Sequence, residues 1–301
     1  MVRTGGGPAE AGHCVLSDAM QPSRPSLTAL GVASRRAAHQ LFDSPLVFPD
    51  PLAITILGPD AASRLRQDAQ KHFERPSLAL RAFVVARARR AEDELTEAAR
   101  RGVRQFVILG AGLDTFAYRN PDGPVRVFEV DHPATQLWKR EALAATGIAI
   151  PSSLTFAPVD FERETLANGL ANAGFDAGAP ALFSWLGVTM YLSRHTFDST
   201  LAFVATRPTG TAVVFDYVVD PALLAPLERL AFSRLEKRVA DAREPFRTFM
   251  RPADLHRCLA DAGFVSVEDL GGAEINARYF AGRSDNLQVS RGAGRLVTAR
   301  R

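Results

Sequence analysis

Cysteine is nearly missing from this 301-residue chain: only Cys14 and Cys258 occur, the second in a segment that reads as helix. Two such residues make neither a disulfide framework nor a metal-ligand spacing. Lysine is almost as scarce. Of 36 basic residues only Lys71, Lys139 and Lys237 are lysines, and the net charge is +3. The arginines are interleaved with acids, as in Arg87–Arg104, which also holds Glu92, Asp93, Glu94 and Glu97. That mixture reads as a solvated helix face and argues against a nucleic-acid stripe. No apolar run reaches the roughly 18 residues of a membrane span. Residues 1–25 are rich in Gly, Pro and small side chains and lack the apolar core of a signal peptide. They read as a disordered tail on a cytoplasmic protein, with Met20 an alternative start to Met1.

What remains is ordinary for a globular protein, 47% hydrophobic and 23% charged, and long enough for one large core. Residues 26–100 have helical spacing. Leu27–Phe42 is one helix, Pro45–Pro51 breaks the pattern, Leu52–Phe73 resumes it, and Leu78–Arg101 is a long helix ended by Gly102. From Gln105 the texture changes. Short apolar runs at 105–109, 126–130, 153–157, 181–185 and 211–217 alternate with helical stretches. Such alternation predicts an α/β fold, a mostly parallel sheet with helices on both faces. Near the end, Pro252–Ala262 is a helix capped by Gly263, and Phe264–Leu270 is a strand. Arg278–Phe280 or Asn286–Ser290 is expected to complete an antiparallel C-terminal pair. The organisation expected is a single domain over 26–301: a helical cap at 26–100 and an α/β core at 101–301. An insertion near 221–251 carries Leu223, Leu224, Leu227, Leu230, Ala231 and Phe232 on an apolar face, for packing on the sheet or for covering a ligand.

The chemistry concentrates at two strand ends. Gln105–Thr115, QFVILGAGLDT, runs a buried strand into a glycine turn; Val127–Pro133, VFEVDHP, ends a second strand in acids. Gly110 and Gly112 let the backbone turn and approach a ligand, and Glu129 or Asp131 can accept ribose hydroxyls. A tight turn with no ligand is the plain alternative. A dinucleotide fold wants a third glycine where this chain has Thr115, which weakens the pyrophosphate option.

Beyond the glycine turn and FEVDHP, Asp160-Phe161 in APVDF and the segment SWLGVTMYL follow in order, and EINARYFAGR lies near the end. Together with LTALGVASRRAAHQLFDSPLVFPDPLA they resemble the bacterial branch of the leucine carboxyl methyltransferase family over about residues 27–300. That resemblance implies a class I methyltransferase-like (Rossmann-like) fold with S-adenosyl-L-methionine as cofactor. It implies that Gly110 and Gly112 lie near the cofactor's amino-acid part and that Asp131 contacts the cofactor. Glu129 is the alternative ribose ligand by strand geometry. Asp160 would accept the adenine amino group, with the backbone of Phe161 beside it, and Arg87 would face the methionyl carboxylate. Asp160 has a structural alternative, capping a helix that begins near Arg163. Two departures stand out: Phe116 where relatives often have Arg, and Trp185-Leu186-Gly187 where they often have Trp-Glu-Gly.

The implied reaction is O-methylation of a small-molecule hydroxyl or carboxylate. A carboxylate acceptor needs no general base, whereas a hydroxyl does. Tyr191 and Tyr279 match family tyrosines and are the catalytic candidates; His195 reads as part of a helix start. A nicotinamide-dependent oxidoreductase and a non-catalytic cofactor-binding module are the competing readings. Nucleic acid, membrane and metal are not expected as partners.

Overall fold

Five apolar runs form the parallel strands that the alternation predicts. The computed structural model describes residues 26–160, 163–241 and 244–301. Residues 1–25 with Cys14, and also Phe161, lie outside the described residues. The strands are β1 (Gln105–Leu109), β2 (Arg126–Asp131), β3 (Leu154–Pro158), β4 (Leu182–Trp185) and β5 (Ala212–Val218). β1 and β5 are buried at every position, as expected for a sheet covered on both faces. Two more strands, β6 (Ser266–Leu270) and β7 (Gly294–Arg300), complete the order β3-β2-β1-β4-β5-β7-β6. β7 runs antiparallel between β5 and β6.

The antiparallel finish is where the sequence-based expectation has to be corrected. Arg278 and Tyr279 end a helix, Gly272–Tyr279, and Phe280 is its C-cap; Asn286–Ser290 is not a strand either. The partner of β6 is Gly294–Arg300, which ends Thr298, Ala299 and Arg300 and has little apolar alternation to announce it. Its place is set by pairing with β5 and β6, a tertiary choice.

The helices are α1 (Leu27–Phe42), α2 (Ala61–Gln67), α3 (Ala69–His72), α4 (Arg75–Arg100), α5 (Phe116–Arg119), α6 (Pro133–Ala145), α7 (Leu166–Asn172), α8 (Arg194–Ala205), α9 (Pro226–Asp241), α10 (Pro252–Asp261) and α11 (Gly272–Tyr279). Alternation along the strands sorts them onto two faces. Phe106, Ile108, Val127 and Val214 pack with Val85 and Leu95 of α4, Leu143 of α6 and Ile275 of α11. Val107, Phe128, Val130 and Phe215 pack with α7, α8 and α10 through Leu170, Phe197 and Leu259. The stretch 52–73 is less regular than its pattern suggests, broken into a 3₁₀ turn and the short α2 and α3.

α4 also departs from its reading as a solvated face. Arg81, Arg87, Arg90 and Glu94 are buried. Arg81 makes a two-pronged contact with Asp43 at 2.8 Å and 2.8 Å, and His39 holds the same carboxylate at 2.7 Å while its other ring nitrogen accepts from Val47 and Phe48. The expected apolar face of the insertion divides as well: Leu224 and Phe232 are buried, but Leu223, Leu227 and Leu230 are exposed, Leu227 to 82%. No helix among the described residues is long and apolar enough to cross a membrane.

Candidate functional site

The chain leaves β1 through Gly110 (φ 67°) and Gly112 (φ 45°), both in the left-handed region that suits glycine. The amides of Gly110 and Ala111 reach back to the carbonyl of Val130 at 2.8 Å and 3.1 Å. A Cβ on Gly110 would overlap Val188 in the loop after β4. The turns after β1 and β4 therefore meet in the crevice where strand order reverses, the usual ligand position of such sheets.

Asp131 ties this turn to β2. Its Oδ2 accepts from Gly112 N at 2.7 Å and its Oδ1 from His132 N at 2.7 Å. Burial pushes its carboxyl pKa up in spite of those two amides. Two residues earlier on the same face, Glu129 is fully buried. Its Oε2 lies 2.7 Å from Lys139 Nζ and 3.4 Å from the Tyr118 hydroxyl, and its Oε1 has no hydrogen-bond partner among the described residues. Burial raises the Glu129 carboxyl to about 7, against the pull of Lys139.

Asp160 completes the row. Val159 N donates to Asp131 O at 2.9 Å, so Asp160 leaves β3 directly beside the end of β2. Its carboxylate lies 3.6 Å from Arg163 and is about one quarter exposed (26%). Its carbonyl accepts from Arg163 N at 2.9 Å and Glu164 N at 2.8 Å in a turn, and among the described residues the next helix is α7, which starts at Leu166 under Thr165, whose side chain accepts from Asn168 N. Gly110, Gly112, Asp131 and Asp160 thus line the adjacent carboxyl ends of β1, β2 and β3.

Arg87 reaches the other side of the crevice from α4. Nη1 donates to the buried Asp216 at 2.7 Å, and Asp216 also accepts from Gly187 N at 2.6 Å. A Cβ on Gly187 (φ 74°) would lie 2.6 Å from Arg87 Nη2, which explains the glycine in Trp185-Leu186-Gly187. Leu186 simply packs against the core. Gly187→Ala is expected to displace the Arg87 guanidinium from Asp216 and to lower the midpoint of urea unfolding, by about 1–3 kcal/mol of stability. An unchanged midpoint would refute the contact.

Tyr191 ends the 3₁₀ turn Thr189–Tyr191 on this side. Its ring centroid lies 5.4 Å from that of Phe246, in a group with Phe232 and Phe249. Burial pushes its phenol up to about 12, so it is neutral at ordinary pH. Arg35 of α1 was missed in the sequence, where nothing separates it from its neighbour Arg36. Its Nη1 donates to Gly31 O at 2.8 Å. It is half-buried, faces Arg87, Arg238 and Tyr191, and has its pKa lowered by burial and then by those arginines. Among the described residues it has no carboxylate partner.

Tyr279 is a correction. It stands at the β6 edge, with three strands between β6 and β1, in a groove of about 950 Å³ lined also by Arg90, Asp93 and Glu268, with its hydroxyl 3.4 Å from Asp93. The structure does not bring it to the crevice. His195 is exposed in the first turn of α8.

These residues fit a nucleoside carrying an amino-acid tail. The orphaned Glu129 oxygen and the two acceptors of Asp131 suit ribose hydroxyls, and the cations Arg35 and Arg87 suit a carboxylate.

A model of the leucine carboxyl methyltransferase family matches residues 29–205. The S-adenosyl-L-methionine-dependent methyltransferase YktD of Bacillus subtilis (strain 168) is 32% identical over 293 residues, covering 90% of this chain and 96% of that protein. A methyltransferase named for the same donor from Mycobacterium bovis (strain BCG / Pasteur 1173P2) is 31% identical, with 90% of this chain and 73% of that one covered. In fold, the chain is similar to a methyltransferase from Thermobifida fusca YX (TM-score 0.54, 19% identity, covering 85% of this chain and 96% of that one).

Proposed function

The chain belongs to the leucine carboxyl methyltransferase family and takes its methyl group from S-adenosylmethionine; from that premise we propose that it O-methylates a small molecule at a carboxylate or an acidic hydroxyl. In this reading Asp131, with Glu129 beneath it, holds the ribose hydroxyls, and the glycine turn lies against the amino-acid part. Asp160 accepts from the adenine amino group. Arg87 faces the methionyl carboxylate with the nitrogens that Asp216 does not occupy. When bound, the donor supplies a methyl group already activated on a sulfonium, so the protein's work is to align an oxygen behind it and exclude water.

The observation that carries the acceptor class is the surroundings of Tyr191. Its phenol is neutral. Of the carboxylates facing it, Asp216 is bound to Arg87 and Gly187 N, while Glu244 accepts from Ser26 Oγ at 2.9 Å and Thr28 N at 3.1 Å. Both already accept hydrogen bonds, so among the described residues no free general base faces Tyr191, which favours an oxygen that arrives already negative. Arg35 attracts such an oxygen, and the wall of Phe246 and Phe249 suits an apolar body beside it. Tyr191 donates a hydrogen bond to the acceptor; it is not a base.

Incubation with isotopically labelled methyl donor and a panel of small carboxylic acids and phenols tests this. Base-labile methyl esters or labelled aryl ethers are the expected products. Binding of the donor with no transfer to any member would refute the proposal and favour a non-catalytic module.

A further inference from the structure

The buried acid Asp50 lies in the loop after α1, outside the row of residues assigned to the donor, yet Leu113, Asp114 and Thr115 of the glycine turn are all held from its side of the molecule. A Cβ on Gly112 would lie 3.2 Å from Ala29 Cβ of α1. Arg36 of α1 donates to the carbonyl of Leu113, and its Nη1 lies 3.7 Å from Asp114 Oδ2. Thr115 Oγ1 donates to Asp50 Oδ2 at 2.8 Å. Arg119 Nε lies 3.1 Å from Thr115 Oγ1 and 3.4 Å from Asp50 Oδ1, and its guanidinium stacks on Phe48 at 5.1 Å. Asp50 and Thr115 are both fully buried. Asp50 N donates to Gln40 Oε1 at 3.0 Å, which fixes the loop to α1.

The glycine turn is thus held between two carboxylates, Asp131 from the sheet and Asp50 from the N-terminal helices. Asp50 also sits 3.7 Å from Arg36 Nε, an atom with no hydrogen-bond partner among the described residues, as is Asp50 Oδ1. Two unfulfilled polar atoms leave this junction short of its best geometry, a condition that a shift of the turn can relieve. We propose that Asp50 is a positioning residue for the donor site: through Thr115 and Arg119 it sets the turn and makes donor affinity depend on how α1 is seated. This rests on the donor lying at that turn.

The test uses the full chain, with S-adenosylhomocysteine as probe. Titration calorimetry of Asp50→Asn and Thr115→Val should each show affinity weakened about tenfold, while Thr115→Ser, which keeps the hydroxyl, should bind as the unmodified protein does. The double variant Asp50→Asn/Thr115→Val should be no weaker than either single one, because an amide at position 50 must set its NH₂ against either Thr115 or Arg119, and the loss of the Thr115 hydroxyl breaks that same junction. In hydrogen exchange, the probe should protect both the turn and Leu27–Phe42 in the unmodified protein, and the turn alone in Asp50→Asn. A lower melting temperature with unchanged affinity would make Asp50 merely structural and overturn the inference. So would failure of Thr115→Ser to restore binding. Asp131→Ala is run alongside: if it too binds normally, the donor placement fails; if it binds weakly while Asp50→Asn does not, the positioning role alone fails. Should Asp50→Asn not fold, the Thr115 pair decides the matter.

Discussion

Lys139→Met is expected to destabilise the protein by about 3–5 kcal/mol, the cost of leaving a buried charge without its partner. Lys139 and Glu129 are both buried, at 1% and 0% exposure, with Nζ and Oε2 2.7 Å apart. The ammonium also lies 5.2 Å from the centre of the Tyr118 ring. Methionine keeps most of the volume but none of the charge, so Glu129 must either protonate or stay ionised in an apolar setting. The pH dependence follows from linkage. The Glu129 carboxyl is already raised to about 7 in the folded chain, above the roughly 4.3 of an unfolded glutamate. The folded state therefore binds more protons between those values, and this group's contribution to stability falls as pH rises through that window. Without Lys139 the window extends upward. Urea unfolding of Lys139→Met should show a larger loss at pH 8 than at pH 5.5, and Glu129→Gln/Lys139→Met should recover most of it. A loss independent of pH would mean that packing, not charge, is what Lys139 provides.

Asp131→Ala is expected to lower affinity for S-adenosylhomocysteine at least about 100-fold, near 3 kcal/mol, with the fold retained. The substitution removes more than a ribose acceptor. Gly112 N and His132 N each donate to one oxygen at 2.7 Å, and both amides would lose their partner. The glycine turn loses its anchor to β2 at the same moment. Asn is expected to be little better, because both oxygens face N–H donors and one side of the amide would set N–H against N–H. Calorimetric titration of Ala and Asn variants checks this; an Asn variant that binds normally would show that the two amides are not the carboxylate's essential partners.

Much of this was readable in the residues. The five parallel strands appear within a residue or so of their expected bounds, because a strand buried on both faces must be a continuous apolar run. The glycine turn and the acids at the end of β2 were equally visible: positive φ selects glycine, and a carboxylate at a strand end marks itself among apolar neighbours. β7 was not visible, since Thr298, Ala299 and Arg300 are in its ladder by virtue of what they pair with. Tyr279 matched a family position but stands at the far edge of the sheet, a relation that spacing along the chain cannot carry.

The sequence by itself determined the α/β class, the methyl donor's family and the residues that cluster at the ends of β1 to β3. Those depend on local rules: burial period, turn chemistry and motif order. Tertiary structure alone decided which arginines are buried, since Arg35 and Arg36, or Arg87 and Arg89, look alike in a helix. Only the fold places Arg87 against Asp216, 129 positions away, and Asp50 against Thr115, 65 positions away. The reason is physical. A charge is informative when it is desolvated, and desolvation is set by neighbours distant in sequence that the folded chain alone brings together.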